Sequence, residues 1–457
     1  MRRAYQTLNP ATGQIVQHFA EASDEQCASA LTTAHRRFED GWRYVSVLER
    51  AQVIRRAAII MRARSAELAS YITLEMGKLI SQSLFEVELS AAILEYYAQS
   101  GEEFLRTTPV TNSPGSVIIT EPIGVIMAVE PWNFPYYQLA RIAGPQLVAG
   151  NCLIVKHARN VPQCALAFER VLIEAGAPPG VYTNLFCSFS QISTLIDDFR
   201  IRGVTLTGSE RAGASVAERA GKNLKKVVLE LGGSDPFIVL SDADLVAAVK
   251  EGAEGRLQVM GQVCVSSKRF IVVGKERGAI FLEGLVRAFA ALKIGDPSDP
   301  ATTLGPLVSE QGLTDLLKQI ETAKQHGATI VMGGNRIDRP GWYMQPTIIA
   351  DIAKDNPVYQ QELFGPAASF YVVDNDEEAI QLANATKFGL GACVFGGNIQ
   401  HAQAVAGRID SGMVFINSSA YFSPELPFGG VKNSGFGREL GALGIGEFVN
   451  RKLVRTA

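Results

Sequence analysis

Cys264, in Gly-Gln-Val-Cys-Val-Ser-Ser (261–267), and Glu230, in Leu-Glu-Leu-Gly-Gly (229–233), carry complementary chemistry. A thiolate attacks a carbonyl carbon, and a nearby carboxylate takes a proton from water, so the pair could form a covalent acyl-enzyme and then hydrolyse it. Asn133, in Pro-Trp-Asn-Phe-Pro (131–135), offers a side-chain amide to a developing oxyanion. Gly261 and Gln262 allow close backbone approach beside the thiol. Glu230 also has a plain reading as a surface acid. Its place between Leu229 and Leu231, before Gly232 and Gly233, puts it at the carboxyl end of an apolar strand instead, where parallel sheets handle ligands. Burial there raises a carboxylate pKa toward a general-base value. Asn133 could merely cap the helix expected from Pro135. The remaining cysteines, 27, 152, 164, 187 and 393, read as buried structural residues.

Further polar residues lie where a cofactor and a charged substrate could be held. Thr207-Gly208-Ser209, with Gly213, follows a strand and opens a helix, and free N–H groups at a helix start suit a pyrophosphate. No GxGxxG run follows a strand; Gly441, Gly444 and Gly446 read as turn residues. Arg141 lies two turns past Pro135, roughly 9 Å along the helix. From there its guanidinium could grip a distal carboxylate while Asn133 holds the reacting oxygen. Ser423 could add a hydroxyl.

The elements that must position these residues are those of a large α/β protein. At 457 residues the chain needs two or more domains. Its 47% hydrophobic and 19% charged residues suit a folded chain. A net charge of −3 offers no basic field for nucleic acid, and the apolar stretches stop short of membrane-spanning length. The basic N-terminus has no long apolar run behind it and does not read as a secretory signal. Scattered cysteines without a CxxC pair make disulfides unexpected and fit a reducing cytoplasm. Five dispersed histidines give no metal-ligand spacing.

The first hundred residues read as helical, with capping boxes at Ser23/Gln26 and Ser46/Glu49. Residues 115–130 read as a strand pair turning at Pro122 and Gly124. From Pro135 strands and helices alternate, with strands at 152–156, 181–186 and 203–206 and helices from about 162 and at 210–220. A second series has strands 236–240 and 269–273 and helices 243–259 and 277–291. Such alternation predicts parallel sheets covered on both faces, in a Rossmann-like layout. The run 448–454 alternates like a strand.

LELGGSDP (229–236), GQVC, PWNFP, TGS (207–209) and ELFGP (362–366) together resemble the NAD(P)-dependent aldehyde dehydrogenases, in order and separation across nearly the whole chain. KHA (156–158), GGSDPFIV (232–239) and PELPFGG (424–430) narrow the likeness to the succinate-semialdehyde dehydrogenase branch. The resemblance implies a Rossmann-type cofactor domain over 1–114 and 131–229, and an α/β catalytic domain over 230–427. It also implies a small β oligomerisation arm from 115–130 and 435–457, serving a homodimer or homotetramer. It gives Cys264 the thiohemiacetal, Glu230 the hydrolytic water, and Asn133 with the Cys264 backbone N–H the oxyanion. It makes Lys156 an adenosine-ribose contact and Glu362 the nicotinamide-ribose acid, with Trp132, Gly208, Ser209, Gly213, Leu231 and Phe364 also at the cofactor. Arg141 and Ser423 fall to the substrate.

Arg159 departs from the pattern. NAD-preferring members usually carry a glutamate there, which bonds the ribose 2′-hydroxyl and repels a 2′-phosphate; arginine does the reverse, so NADP is expected ahead of NAD. A second arginine that some branch members carry six residues before the nucleophile is absent. Gln258 stands there, and Arg256 lies nearby with no assurance of pointing inward. The expected reaction is oxidation of succinic semialdehyde to succinate. The alternatives are another aliphatic or aromatic aldehyde, a coenzyme-A-acylating relative, which Glu230 disfavours, and a catalytically silent binding or structural member of the family.

Overall fold

The computed structural model describes residues 5–456; the basic opening residues lie outside them. The chain begins with a hairpin where helix was expected: β1 (Tyr5–Asn9) pairs antiparallel with β2 (Gln14–Phe19). Pro10 through Gly13, the latter at φ +74°, forms its turn, and this punctuation is the cue that the helical reading passed over. The helices α1 (Asp24–Asp40), α2 (Val47–Ala63), α3 (Ser65–Met76) and α4 (Ile80–Leu105) come next. Both expected capping boxes are formed, each with reciprocal bonds between the serine and its third residue on.

β3 (Thr108–Pro109), β4 (Ser116–Pro122) and β5 (Val125–Val129) lead into α5 (Pro135–Ala149), β6 (Cys152–Lys156) and α6 (Pro162–Glu174). Then come β7 (Tyr182–Asn184), α7 (Phe189–Asp197), β8 (Ile201–Thr207), α8 (Glu210–Lys222) and β9 (Lys226–Glu230). The second series holds β10 (Asp235–Val239), α9 (Leu245–Leu257), β11 (Ser267–Val273), α10 (Lys275–Ala290), α11 (Glu310–Gln325), β12 (Thr329–Met332) and β13 (Thr347–Ala350). It continues through β14 (Ala367–Val373), α12 (Asp376–Asn384), β15 (Phe388–Gly389), β16 (Cys393–Phe395), α13 (Ile399–Ala406) and β17 (Phe415–Ile416). β18 (Val431–Lys432), β19 (Gly435–Phe436), α14 (Gly441–Ile445) and β20 (Val449–Arg455) close the chain.

Two sheets dominate. One runs β19-β9-β8-β5-β6-β7, parallel except at β19; the other runs β12-β13-β14-β11-β10-β16-β17, parallel except at β12. The strands β5, β6 and β10 are buried along their whole length, as sheets covered on both faces require.

Two details of the oligomerisation arm are corrected. Residues 115–130 make two strands but no hairpin. β5, apolar and wholly buried, enters the centre of the first sheet, while half-exposed β4 pairs antiparallel with β20 and β3. Within 435–457, Gly435 and Phe436 join β9, and Gly441–Ile445 form a short helix where turns were expected. Only β20 joins β4.

Buried acids anchor the helices that carry the site. Phe134 occupies the cap position of α5 without a side-chain cap bond. Glu86 serves instead, its Oε1 accepting from the N–H groups of Tyr136 (2.8 Å) and Tyr137 (3.2 Å), while its Oε2 pairs with buried Lys78, itself 3.8 Å from the Phe134 ring centre. Glu75 does the same for α6, accepting from the N–H groups of Gln163 (2.9 Å) and Cys164 (3.0 Å) and from the Thr7 hydroxyl. Burial nevertheless pushes the Glu75 carboxyl up to about 7. A carboxyl raised on folding stabilises fully below its unfolded pKa, and that contribution is lost as pH rises to its folded one. The thermal midpoint is therefore expected to fall between about pH 4.5 and 7. Glu75→Gln should flatten that slope; an unchanged slope would exclude Glu75 as its source.

Candidate active site

Cys264 lies between α9 and β11 and is half-buried; the other five cysteines are buried. Three successive residues before it are left-handed: Val259 at φ 50°, Met260 at φ 54° and Gly261 at φ 72°. Left-handed backbone costs an L-residue about 1–2 kcal/mol, and a β-branched valine accepts it only when its surroundings insist. Here the Val259 N–H donates to Gln82 Oε1 (3.1 Å), and a Cβ on Gly261 would collide with the Gly365 carbonyl. Gln262 braces the turn, its Nε2 donating to the Val259 carbonyl (3.3 Å) and its Oε1 accepting from the Val308 N–H (3.0 Å). Burial pushes the Cys264 thiol up to about 12, countered by Lys268 and Arg141 and reinforced by Glu230 and Glu362. At neutral pH it is a protonated thiol, facing two cations and two acids.

Asn133 is no helix cap. Its Nδ2 donates to the Gln262 carbonyl (3.1 Å), two residues before the nucleophile, and its Oδ1 accepts from Gln138 Nε2 (3.5 Å). One Nδ2 hydrogen is thereby left for an oxyanion. Behind the loop, His157 Nε2 donates to the Pro135 carbonyl (2.9 Å), and its Nδ1 accepts from the Ala158 N–H (2.9 Å). Burial lowers that imidazole to about 4, so it is neutral.

Glu230 ends β9, 2% exposed, and neither carboxylate oxygen has a hydrogen-bond partner among the described residues. Burial raises its pKa well above the ordinary value; Arg141 and Arg438 oppose the rise and Glu439 adds to it. Glu130, just before the PWNFP run, is buried likewise, both oxygens without a partner among the described residues.

Arg141, 1% exposed, is not a free substrate ligand. It is ion-paired with buried Glu439 and lies between the rings of Tyr137 and Phe428, 5.0 and 4.4 Å from their centres. Its Nη1 has no hydrogen-bond partner among the described residues. Tyr137 and Phe428 also line a cleft of about 270 Å³ with Phe415, Tyr421, Phe422 and Ser423. The Ser423 hydroxyl donates to Glu425, so it too has a partner within the chain. Arg256 is fully buried and donates to the carbonyls of Leu363 and Ala367; it does not line that cleft.

Of the residues expected at the cofactor, Trp132, Lys156 and Arg159 follow strands of the first sheet, while Glu362 and Phe364 precede β14 of the second. Lys156 ends β6, and burial lowers it to about 8. Arg159 pairs with Glu21 (2.6 Å) and lies 5.0 Å from the Tyr5 ring centre, its Nη1 without a hydrogen-bond partner among the described residues. The Lys156 ammonium lies 6.0 Å from the same ring centre, so the two cations share one corner. Trp132 and Phe364 meet edge to face, ring centres 5.8 Å apart. Glu362 Oε1 accepts from the Gly233 N–H (3.2 Å) and pairs with Lys268 (3.1 Å).

The phosphate-loop expectation is partly corrected. The Gly208 N–H donates to the Glu230 carbonyl (2.9 Å) and the Gly213 N–H to the Ser209 carbonyl (2.9 Å), so neither is free for a pyrophosphate. Gly213 instead makes room for Leu231, against which a Cβ would stand 2.6 Å away. Ser209 caps α8, accepting from the Ala212 N–H (3.4 Å).

Sequence reasoning passed over Lys268, Glu439, Glu130, Glu75 and Glu86. Each is a charge set in an apolar or glycine-rich run, and that context is the available signal.

Two covered parallel sheets with a thiol, an acid and an amide at their adjoining edges define an enzyme of cysteine-mediated acyl chemistry. The chain belongs to the aldehyde dehydrogenase family, whose pattern matches residues 1–454. It is 48% identical over 455 residues to succinate-semialdehyde dehydrogenase [NADP(+)] of Deinococcus radiodurans, covering 99% of this chain and 95% of that one. It is 47% identical to a probable succinate-semialdehyde dehydrogenase [NADP(+)] of Synechocystis sp., covering 99% of each. A crystal structure of succinic semialdehyde dehydrogenase from Streptococcus pyogenes in complex with NADP+ superposes with a TM-score of 0.97 at 48% identity, covering 99% of this chain and 100% of that one.

Proposed function

We propose that the chain oxidises succinic semialdehyde to succinate, with NADP preferred over NAD. One observation carries the reading: the half-buried thiol shares its electrostatic surroundings with buried Glu230 and Arg141, beside a cleft of substrate size. The chain-long likeness to enzymes named for that substrate and cofactor supports it.

Cys264 Sγ gives up its proton to water in the cleft and bonds to the aldehyde carbon. The resulting oxyanion accepts from Asn133 Nδ2 and from the Cys264 backbone N–H. The nicotinamide, when bound, supplies the hydride acceptor that turns the thiohemiacetal into a thioester. Glu230 then takes a proton from water, the hydroxyl adds to the thioester carbon, and the C–S bond breaks to release the acid and the thiolate. Trp132, Phe364, Glu362, Lys156 and Arg159 would hold the cofactor, with Glu362 accepting from ribose hydroxyls and Lys156 with Arg159 at the adenosine end. Arg141 presents Nη1 to the distal carboxylate while Glu439 fixes its plane.

Following absorbance of the reduced nicotinamide with succinic semialdehyde tests the reading, and turnover well below that with uncharged aldehydes would overturn it. Arg159→Glu should lower kcat/KM for NADP by about 10–100-fold, the worth of one charge-assisted contact, and spare NAD. Equal losses with both cofactors would remove Arg159 from the phosphate site. Arg141→Leu should raise KM for succinic semialdehyde far more than for an uncharged aldehyde, whereas matching effects would make Arg141 purely structural.

A second reading, an uncharged or aromatic aldehyde, has its own support: the cleft is rich in aromatic rings and Arg141 already has Glu439. A substrate panel separates the two. The β4–β20 arm, with Leu453 exposed on its edge strand, supports a homodimer or homotetramer, which light scattering would measure. No helix among the described residues is long and apolar enough to cross a membrane, and a cytoplasmic site of action is part of the same proposal.

A further inference from the structure

Lys268 follows the nucleophile by four residues, is the second residue of β11, and is 1% exposed. A buried ammonium is costly unless every hydrogen finds a partner. Its Nζ donates to the carbonyls of Val263 (2.9 Å) and Cys264 (2.5 Å) and pairs with Glu362 Oε1 (3.1 Å). One cation therefore holds the backbone at the nucleophile and the carboxylate at the proposed ribose site. Arg256 ties the same two segments elsewhere, bonding the carbonyls of Leu363 (2.8 Å) and Ala367 (2.8 Å) on one side and of Gly261 (3.4 Å) on the other. Among the described residues Arg256 hydrogen-bonds backbone carbonyls and the Ser266 hydroxyl and feels Glu362 only at a distance, whereas Lys268 pairs directly with that carboxylate, which a ligand would engage.

We propose that Lys268 is a positioning residue coupling the cofactor site to Cys264: it holds the nucleophile's backbone and shares its charge between the thiol and Glu362. The proposal rests on the assignments of Cys264 and Glu362 given above. The charged groups facing the thiol are Lys268 and Arg141, which favour the thiolate, and Glu230 and Glu362, which oppose it. Asp235 also feels Lys268, along with Arg269 and Glu362, and burial raises it to about 7. When ribose hydroxyls donate to Glu362, that carboxylate offers less charge to Lys268, and the ammonium acts more fully on the thiol. Linkage makes the effect reciprocal: whatever favours the thiolate through Lys268 also favours the cofactor.

Alkylation by iodoacetamide reads this without any aldehyde, since Cys264 is the half-buried cysteine and the rest are buried. Lys268→Met should move the pH profile of Cys264 alkylation up by about one unit, a tenfold slower rate at pH 7. In the native enzyme NADP should quicken alkylation, and Lys268→Met should abolish that response while NADP still binds, as followed by tryptophan fluorescence. Lys268→Arg should retain much of both. Glu362→Gln probes the same link from the other end, with the opposite sign: Lys268 loses its counter-charge and alkylation at pH 7 quickens. An unshifted profile with an intact NADP response in Lys268→Met would overturn the proposal, as would slower alkylation in Glu362→Gln. Failure of the nucleophile assignment would look different, because alkylated Cys264 would then leave turnover intact.

Discussion

Cys264→Ala will lose aldehyde oxidation by at least about 10⁴-fold, the scale at which removing a covalent nucleophile acts, and will keep its fold and its affinity for NADP. The expectation follows from where the sulfur stands. It lies at the mouth of a turn whose left-handed residues, Val259 through Gly261, are held by Gln82 and Gln262 and not by the thiol. Loss of one Sγ from a half-buried position leaves those braces in place, so the thermal midpoint should scarcely move. Lys156, Arg159, Trp132 and Glu362, the residues proposed to hold the cofactor, make their bonds among the described residues without the Cys264 side chain. NADP binding measured by calorimetry should therefore match the native protein. A variant that still turns over would show that the thiol is not the nucleophile.

Glu230→Gln should separate the two halves of the reaction. A stoichiometric burst of reduced nicotinamide is expected at near-native rate, followed by turnover slowed by about 10²–10⁴-fold, the usual contribution of a positioned general base. Glutamine keeps the volume of Glu230, so packing against Gly429, where an added Cβ would stand 2.7 Å from Oε1, is preserved. Because burial raises the Glu230 pKa, the fraction acting as base increases with pH, and the native steady-state rate should still climb with pH above the ordinary carboxylate range. The Glu230→Gln variant should lose that climb. A variant lacking both the burst and the turnover would move Glu230 from deacylation to the first half of the reaction.

Much of this arrangement is legible in the residues. The alternation after Pro135 reports the first sheet because its strands are buried on both sides and so read as unbroken apolar runs. Cys264, Glu230 and Asn133 stand out because each interrupts such a run or a tight turn with a reactive group. β1 and β2 were hidden because the hairpin alternates weakly and β2 is mostly exposed. β4 and β5 look like a hairpin because Pro122 and Gly124 make a good turn locally. The pairing is decided by burial instead, as β5's five apolar residues need cover on both faces. The amides of Gly208 and Gly213 illustrate another limit: a loop pattern cannot say whether its N–H groups are already spoken for. Lys268 and Glu439 escaped notice because their partners, Glu362 and Arg141, lie far away in the chain.

The central claim is that one sulfur is transiently acylated and that Glu230 directs the water that frees it. Mass spectrometry of Glu230→Gln, quenched during turnover with succinic semialdehyde and NADP, tests this most directly. The account predicts a succinyl group on the peptide containing Cys264. An adduct on another side chain, or none despite a full burst of reduced cofactor, would contradict it.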